Sequence, residues 1–234
     1  MGADEYDKFA DSYNSENSSS LLNEYYERPA MLALAGDVVG RRILDAGCGS
    51  GPLSAALRER GAIMSGFDGS PAMIELARRR LGDQVPLHVA DLASSLPFAD
   101  DAFDDVMASL VLHYLEDWTG PLGELRRLIK PGGRLIVSVP HPLVRVFTNP
   151  DEDYFATRRY TEEYDLAGKE VVLEHWHRPL HAMTDAFTGS GFEVAVISEP
   201  APSSDTPSDL LPPRIRNGLT TSFLAFIFFV LRVH

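Results

Sequence analysis

The chain has 234 residues, of which 44% are hydrophobic and 9% aromatic, enough for one globular domain with a sizeable core. Its formal net charge of −13 argues against a nucleic-acid binder, because such proteins present basic surfaces to phosphates. The single cysteine excludes a disulfide framework and favours a reducing compartment.

No membrane or export segment is predicted. Residues 1–11 are acidic and aromatic, unlike the basic and apolar start of a signal peptide. The most apolar run, residues 223–231, is far shorter than the roughly 20 residues of a spanning helix and is predicted to be a buried strand. We therefore expect a cytoplasmic protein.

Residues 1–36 are predicted to form a helical cap. Residues 4–14 and 19–34 read as two helices, and the serines at positions 18–20 are candidate N-caps of the second.

Short strands and helices alternate from residue 42 onward. Prolines at positions 52 and 71 open two of the helices, where the missing N–H costs nothing. Alternating βαβ units predict a parallel sheet with right-handed crossovers and helices on both faces. The predicted strands are residues 42–46, one ending at Asp68, residues 85–90, 105–110 and 134–140.

The pattern changes after residue 140. Residues 141–179 are rich in aromatic side chains and too long for a simple connection, so we predict a lid-like insertion over a substrate. A surface subdomain or a dimer contact is the alternative. Residues 200–218 are rich in proline and predict a mobile or extended loop near the same mouth. A helix at 180–188 and strands at 192–199 and 221–233 complete the chain.

The most informative segment is residues 43–51, Ile-Leu-Asp-Ala-Gly-Cys-Gly-Ser-Gly. A strand that runs into Gly47, Gly49 and Gly51 lets the backbone turn tightly and come close to a ligand. The spacing is not the G-x-G-x-x-G of dinucleotide sites, because the third glycine follows the second by only two positions. Cys48 is interpreted as a small packed residue, since no base is spaced to activate it.

Three acids end or follow short apolar strands: Asp45, Asp68 and Asp91. In an open α/β sheet, ligands bind at the carboxyl ends of the strands. A carboxylate offers two acceptor oxygens at the spacing of a ribose diol, so Asp68 is predicted to bind ribose hydroxyls. Any one of these acids alone would be an ordinary loop or cap residue.

The order of these segments resembles the class I S-adenosylmethionine (SAM)-dependent methyltransferases of the small-molecule type, with a methyltransferase-11-like domain. Residues 96–104 and 130–135 are similar to the segments that lead into the family's fourth and fifth strands. The resemblance covers residues 40–140. It implies one Rossmann-like α/β domain over residues 1–234, with a mostly parallel sheet in the order 3-2-1-4-5-7-6 and strand 7 antiparallel.

The same resemblance implies SAM as the cofactor and S-adenosylhomocysteine (SAH) as the product. In the family, the acid after strand 3 receives the adenine amino group and its apolar neighbour covers the ring. Tyr13 lies in a segment similar to the family's N-terminal helix and is assigned to the methionine carboxylate, with aromatic packing as the alternative. The predicted cofactor-binding residues are Tyr13, Asp45, Ala46, Gly47, Gly49, Asp68, Gly69, Asp91, Leu92 and Ser109.

Methyl transfer from a sulfonium is an in-line substitution, which requires alignment and exclusion of water. A proton must also leave if the acceptor is a hydroxyl, an acidic carbon or a protonated amine. Histidine suits that role near neutral pH. The candidate catalytic residues are His113, His141 and His177, and His175 is a further substrate contact.

Three of these four histidines have a structural alternative. His113 would then cap a helix or bond a backbone carbonyl, and His175 and His177 would belong to a lid hinge. The H-x-H pattern at 175 and 177 lacks a nearby carboxylate–histidine pair, so no metal site is predicted.

A small, partly apolar metabolite is the predicted acceptor. Amino-methylating enzymes of nucleic acids carry Asn/Asp-Pro-Pro-aromatic after strand 4, where this chain has Ser-Leu-Val-Leu at residues 109–112. The alternatives are a tRNA or protein methyltransferase, and a non-catalytic SAM-binding regulatory module. The expected partner is a small-molecule substrate, with no nucleic acid and no membrane, and either a monomer or a homodimer fits.

Overall fold

The structure, a computed structural model, describes residues 20–166 and 169–234. Tyr13 and the predicted helix at residues 4–14 lie outside these residues.

The described chain is built around a seven-stranded sheet with helices on both faces. A π-helical turn, Asn23–Glu27, leads into the first α-helix. The elements are α1 (Arg28–Ala35), β1 (Arg42–Ala46), α2 (Pro52–Glu59), β2 (Ile63–Asp68), α3 (Pro71–Leu81), β3 (Leu87–Val89), β4 (Phe103–Ser109), a 3₁₀ turn (Leu112–Tyr114), α4 (Thr119–Leu128), β5 (Ile129–Pro140), α5 (Leu143–Thr148), β6 (Arg158–Leu166), β7 (Lys169–His177), α6 (Leu180–Gly189), β8 (Glu193–Ser198), α7 (Pro213–Arg216) and β9 (Phe226–Arg232).

The sheet order is β3-β2-β1-β4-β5-β9-β8. Strands β1 to β5 pair in parallel, whereas β9 runs antiparallel to both β5 and β8. With β8 and β9 as the sixth and seventh strands, the predicted order 3-2-1-4-5-7-6 with an antiparallel last strand is confirmed. The carboxyl ends of β1 to β5 therefore lie along one edge of the sheet.

Successive side chains of the central strands enter opposite faces, as the period of two in a strand requires. Leu44 and Val106 belong to the core beneath α4 and α6. Ile43 and Met107 belong to the core beneath α1, α2 and α3. Both faces are apolar because helices cover both, which is the normal condition of a parallel sheet.

Pro29 accounts for the π-helical turn before α1. Proline has no N–H, so the carbonyl of Tyr25 four residues earlier lacks its helical partner. That carbonyl accepts instead from the N–H of Ser203 at 2.7 Å. The N–H of Arg28 bonds to the carbonyl of Asn23, five residues back. Residues 200–218, predicted to be an extended or mobile loop, thus dock on this turn and also contain α7.

Strand β5 begins earlier than predicted. Helix α4 ends at Leu128, and extended backbone starts at Ile129, which pairs with Phe103 before a register shift. A Cβ at Gly133 would lie 2.6 Å from the carbonyl oxygen of Asp104. Glycine therefore permits the close backbone approach at this irregularity.

The insertion at residues 141–179 has secondary structure of its own. It contains α5 and the antiparallel hairpin β6–β7, which pairs separately from the main sheet. Strand β7 packs against the 3₁₀ turn that follows β4. The hairpin thus lies over the carboxyl edge of the sheet.

Within residues 20–166 and 169–234, no helix has the length and apolarity needed to cross a membrane.

Candidate functional site

The loop after β1 adopts backbone conformations that favour glycine. Gly47 and Gly49 have φ values of 72° and 54°. The N–H groups of Gly47 and Cys48 both donate to the carbonyl of Phe67 at 2.9 Å, which fixes the loop against the end of β2. A Cβ at Gly47 would lie 2.5 Å from Cγ2 of Val111, whereas one at Gly49 meets no atom within 4 Å. Gly49 therefore borders open space in which a ligand can approach the backbone.

The other side of this loop is packed and braced. Cys48 is buried, and burial raises the pKa of its thiol, so the thiolate is disfavoured, as expected of a packed residue. Arg80, in the last turn of α3, donates to the carbonyl and the hydroxyl of Ser50 at 2.8 and 3.0 Å. The basic end of α3 therefore supports the loop as well as complementing the helix dipole.

Asp45, the penultimate residue of β1, has a carboxylate oxygen without a hydrogen-bond partner among the described residues. Its Oδ2 accepts from the hydroxyl of Ser54 at 2.6 Å, whereas Oδ1 has no hydrogen-bond partner among the described residues. The residue is 1% exposed, and burial together with the charges of Glu27 and Asp68 raises its pKa to about 7. An unpaired buried carboxylate oxygen is costly, so the site is complementary to a cationic donor such as an α-ammonium group.

Asp68 bonds to the backbone on both sides of its own strand end. Its Oδ2 accepts from the N–H of Gly49 and its Oδ1 from the N–H of Ser70, each at 2.9 Å. A carboxylate offers two acceptor oxygens with two lone pairs each, which is the chemistry that a ribose diol requires. Gly69 lies between β2 and α3, directly beside these bonds.

The remaining predicted residues divide into two groups. Asp45, Gly47, Gly49 and Ser109 line one cavity at the glycine loop. Asp91 is exposed beyond β3 and accepts from the N–H of Ala93 at 2.9 Å, and the adjacent Leu92 is buried in the core. Ala46 is also fully buried. Asp68, Gly69, Asp91 and Leu92 follow the same sheet edge outside the lining of that cavity.

Glu27 also lines the cavity at the glycine loop, and it was not among the residues predicted from the sequence. It lies in the π-helical turn and is 4% exposed. Its Oε1 accepts from the hydroxyls of Ser109 at 2.7 Å and Ser138 at 2.6 Å, at the ends of β4 and β5. Burial raises the pKa of this carboxyl, and the two serine bonds oppose the rise. The only sequence signal was a glutamate placed directly before an Arg-Pro pair, ahead of the apolar run at residues 30–35.

A second, larger cavity of about 570 Å³ adjoins the first. The hairpin supplies one wall by alternation along its strands, because every second side chain of a strand faces the same side. Trp118 and Met183 from the main unit add apolar surface. The inward side chains of the hairpin are Tyr160, Glu162, Tyr164, Leu173, His175 and His177.

Three residues border both cavities: Asn23, Leu110 and Tyr114. Leu110 has a φ of 48°, a left-handed conformation that is costly for a residue with a Cβ. Its N–H donates to the carbonyl of Ser138 at 3.1 Å and to the hydroxyl of the same residue at 3.0 Å. The junction between the cavities is therefore held in a strained geometry by the end of β5.

Four histidines reach the larger cavity, and two of them are committed to structural bonds. His141 accepts from the N–H of Leu143 at Nδ1, so its Nε2 carries the proton and donates to Glu199 at 2.7 Å. His177 donates from Nε2 to the carbonyl of Tyr154 at 2.8 Å. Both contacts are structural, and the bond of His177 within the insertion fits its alternative as part of a lid hinge.

The other two histidines have unpaired ring nitrogens. Nδ1 of His113 and both nitrogens of His175 are buried without a hydrogen-bond partner among the described residues. The two rings meet edge to face, with centroids 4.9 Å apart. Burial lowers the pKa of each imidazole, and for His113 the shift places the pKa well below its usual range. Both imidazoles are therefore neutral near pH 7, and their unpaired nitrogens can bond to a polar group in the cavity.

His175 was expected only as a substrate contact. The signal for its position was the alternation Leu-x-His-x-His over residues 173–177, which places its ring on the inward face once these residues form a strand. Nδ1 of His175 lies 3.8 Å from Oε2 of Glu162. Among the residues that the structure describes, no group of three or more His, Cys, Asp or Glu side chains is placed to hold a metal ion.

Residues 44–137 match the family model described as a methyltransferase domain. The demethylmenaquinone methyltransferase of Clavibacter sepedonicus is 40% identical over 147 residues, which cover 60% of this chain and 60% of that protein. The malonyl-[acyl-carrier protein] O-methyltransferase of Serratia marcescens is 33% identical over 136 residues, covering 58% of this chain and 51% of that protein. The aligned segment thus spans between half and two thirds of these curated relatives.

Similarity to a solved structure extends over most of the chain. The S-adenosylmethionine-dependent methyltransferase of Mesorhizobium loti has 26% sequence identity and a TM-score of 0.65, over 87% of this chain and 96% of that one.

Proposed function

We propose that this chain, whose residues 44–137 match a methyltransferase domain, is a class I SAM-dependent methyltransferase that transfers the methyl group of SAM to a small, partly apolar molecule. The observation that carries the proposal is the pair of adjoining cavities. One contains the glycine loop and the orphaned oxygen of Asp45, and the other is larger and mostly apolar. They meet at Leu110 and Tyr114, where a methyl group would pass from donor to acceptor.

The residues present fit the cofactor. The unpaired Oδ1 of Asp45 would accept from the α-ammonium of SAM, and the open backbone at Gly49 admits close approach. Asp68 would accept the ribose hydroxyls, and Asp91 with Leu92 would contact the adenine. Tyr13 lies outside the described residues, and its contact with the methionine carboxylate stays a prediction.

SAM, when bound, supplies an electrophilic methyl group on a sulfonium. The chain's own residues then have three tasks: to align the acceptor, to exclude water and to accept a proton where the acceptor carries one. The hairpin β6–β7 acts as a lid that closes the acceptor cavity. His113 takes the proton, because it borders the acceptor cavity and its buried Nδ1 has no hydrogen-bond partner among the described residues.

A small acceptor fits the size and charge of the second cavity. Its volume of about 570 Å³ lies within the range of small-molecule sites, roughly 300–1,000 Å³. The net charge of −13 and the inward Glu162 disfavour a polyphosphate such as tRNA. One relative is named for demethylmenaquinone and another for malonyl-[acyl-carrier protein], so similarity supports the reaction class without fixing the acceptor.

The proposal is tested with methyl-labelled SAM and a cell extract, followed by separation of the label by size. Label in the low-molecular-weight fraction is the expected result. Label on RNA or protein would overturn the small-molecule acceptor. If calorimetry shows tight SAM binding but no fraction of the extract receives label, the chain would instead be a SAM-binding module without catalysis.

The role of His113 is tested by His113→Asn. Turnover should fall about 10²–10⁴-fold, the usual contribution of a general base, while SAM affinity stays unchanged. His181→Asn, at an exposed position on α6, is the matched control and should keep wild-type turnover. Loss of SAM binding in the His113 variant would assign this residue a structural role instead.

A further inference from the structure

We propose that Glu27 is the counter-charge for the sulfonium of SAM and gives the protein a preference for SAM over its product SAH. The inference rests on the proposed function, because it requires SAM in the cavity at the glycine loop. SAM differs from SAH by one methyl group and one positive charge. A carboxylate near the sulfur therefore distinguishes the two ligands, whereas contacts to the ribose, adenine or amino-acid groups do not.

The position of Glu27 is fixed by the sequence around it. Pro29 produces the π-helical turn, and within this turn Glu27 is buried rather than solvated. Both serine hydroxyls donate to its Oε1, so Oε2 accepts nothing from the described part of the chain. A positive partner stabilises the ionised form of such a buried carboxylate. The nearby charge of Arg28 already acts in this direction, and the sulfonium would add to it.

Glu27 lies on the acceptor side of the cofactor cavity, at the ends of β4 and β5. Its partner Ser138 also holds Leu110, which borders both cavities. Asn23, one turn earlier on the same helix, borders both cavities as well. The transferred methyl must lie at this junction to reach the acceptor. The sulfur that carries it is therefore the part of SAM nearest to Glu27.

The other charges of the cavity match the remaining charges of SAM. Asp45, at the end of β1, faces the cavity with its orphaned oxygen and suits the α-ammonium. Arg28 lines the same cavity, where it also pairs with Glu24, and suits the carboxylate. SAM carries two positive groups and one negative group. Two carboxylates and one guanidinium are the complementary set, and Glu27 is the member left for the sulfonium.

The test compares SAM and SAH binding by calorimetry in wild type, Glu27→Gln and Asp45→Asn. Glutamine keeps the shape and the acceptor oxygen for the serine hydroxyls and removes only the charge. We expect Glu27→Gln to raise the Kd of SAM by about tenfold or more and to leave the Kd of SAH nearly unchanged. Asp45→Asn should weaken both ligands alike, because both carry the α-ammonium.

Each outcome decides the proposal. Equal losses for SAM and SAH in Glu27→Gln, or no loss for either, would overturn the sulfonium role. Wild-type protein that binds neither ligand would overturn the proposed function itself, and the inference with it. If the glutamine variant does not fold, Ser109→Ala provides the second test. It removes one donor that favours the ionised Glu27, and it should lower the SAM/SAH preference in the same direction by a smaller factor.

Discussion

The carboxylate of Asp68 has two backbone donors before any ligand arrives. Its oxygens accept from the N–H groups of Gly49 and Ser70 at 2.9 Å each. One side chain therefore fixes the glycine loop and the backbone just before α3. Its carboxylate is also the proposed acceptor for the ribose hydroxyls. An amide at this position accepts on one oxygen only and carries no charge.

Asp68→Asn is expected to weaken SAM and SAH equally, by about 1.5–3 kcal/mol, because both ligands carry the same ribose and lose a charged acceptor. Calorimetric titration of each ligand checks the prediction. Asp83→Asn changes an exposed acid just beyond α3 and is the matched control, which should bind as wild type does. Unchanged affinities for Asp68→Asn would contradict the ribose contact.

The burial of His175 makes the stability of the protein sensitive to acid. Its ring lies among His113, Tyr114, Tyr160 and Tyr164, and Glu162 is the nearest carboxylate. Burial lowers its pKa below the usual value of about 6.5, despite the opposing effect of that carboxylate. The folded protein thus holds this imidazole neutral at a pH where the unfolded chain protonates it.

Replacing His175 with phenylalanine should therefore flatten the acid limb of the stability profile. The contribution of a group with a depressed folded pKa is complete above the unfolded pKa and is lost as the pH falls through the folded pKa. Below pH 6.5, the free energy of unfolding of His175→Phe should fall less steeply than that of wild type, by up to about 1.4 kcal/mol per pH unit. Denaturant unfolding at several pH values between 5 and 8 measures both slopes. Equal slopes would show that this imidazole is protonated in the folded state as well.

Among the elements, the glycine loop allows the effect of glycine on backbone conformation to be distinguished from its effect on ligand binding. Gly49 and Gly82 both have positive φ, and a Cβ at either position meets no atom within 4 Å. Both positions therefore impose a backbone cost on an L-residue, and Gly82, with φ 75° and ψ 170°, lies in a region that is almost exclusive to glycine. They differ in location, since Gly49 borders the proposed cofactor cavity and Gly82 ends α3.

Gly49→Ala and Gly82→Ala are both expected to lose stability. The loss should be about 1–2 kcal/mol at Gly49 from its positive φ, and at least as large at Gly82, whose backbone conformation is almost exclusive to glycine. Only Gly49→Ala should also lose SAM affinity, because its methyl group fills space that the cofactor needs. Thermal unfolding gives the stability of both variants, and calorimetry gives their affinity for SAM. Wild-type affinity in Gly49→Ala would place the cofactor away from this glycine.

The hairpin β6–β7 was the element least accessible from sequence. Its aromatic content indicated an ordered insertion, and the prediction of a lid over residues 141–179 followed from its place after the fifth strand. The alternation of inward residues was present in the sequence, as Tyr160, Glu162 and Tyr164 show. This alternation identified the cavity wall only once β6 and β7 were seen to pair, with Tyr160 opposite His175.

In the molecule as a whole, a buried charge cluster and the proposed ligand site lie at opposite edges of the sheet. Asp105 is the first residue of β4 that pairs with β1, and it is fully buried. Arg41 and Arg134 each donate to both of its oxygens, at 2.6–2.9 Å. Arg134 also bonds to the carbonyl of Ala35 at the end of α1. This cluster joins α1, β1, β4 and β5 at the edge remote from the glycine loop.

Asp105→Asn should cost about 3–5 kcal/mol of unfolding free energy, because it leaves two arginines around a neutral side chain in a buried site. The neighbouring Asp104→Asn is the matched control. Asp104 is half-exposed and pairs with Lys130, so its loss should cost about 1 kcal/mol or less. Denaturant unfolding measures both variants. SAM affinity of the folded protein should be unchanged in each, and a loss in Asp105→Asn would show that the two edges are coupled.

Residue patterns alone predicted the succession of strands and helices along the chain, the glycine loop and the acids at the strand ends. These features are local, because an apolar strand, a glycine turn and a capping acid are specified by neighbours in the chain. The strand at residues 42–46 and the end of β2 at Asp68 were accordingly predicted to the residue. The same continuity made the family resemblance visible between residues 40 and 140.

Only the tertiary structure decided which side chains share a site. Glu27 meets Ser138 across 111 residues of chain, and His141 meets Glu199 across 58. The first contact holds a buried carboxyl group beside the proposed cofactor cavity. The second occupies the ring of a candidate base, so that it is bonded to Glu199. Such roles depend on burial and on the partners that folding brings within hydrogen-bond distance. Local sequence patterns do not encode either quantity, because both arise from contacts between distant segments.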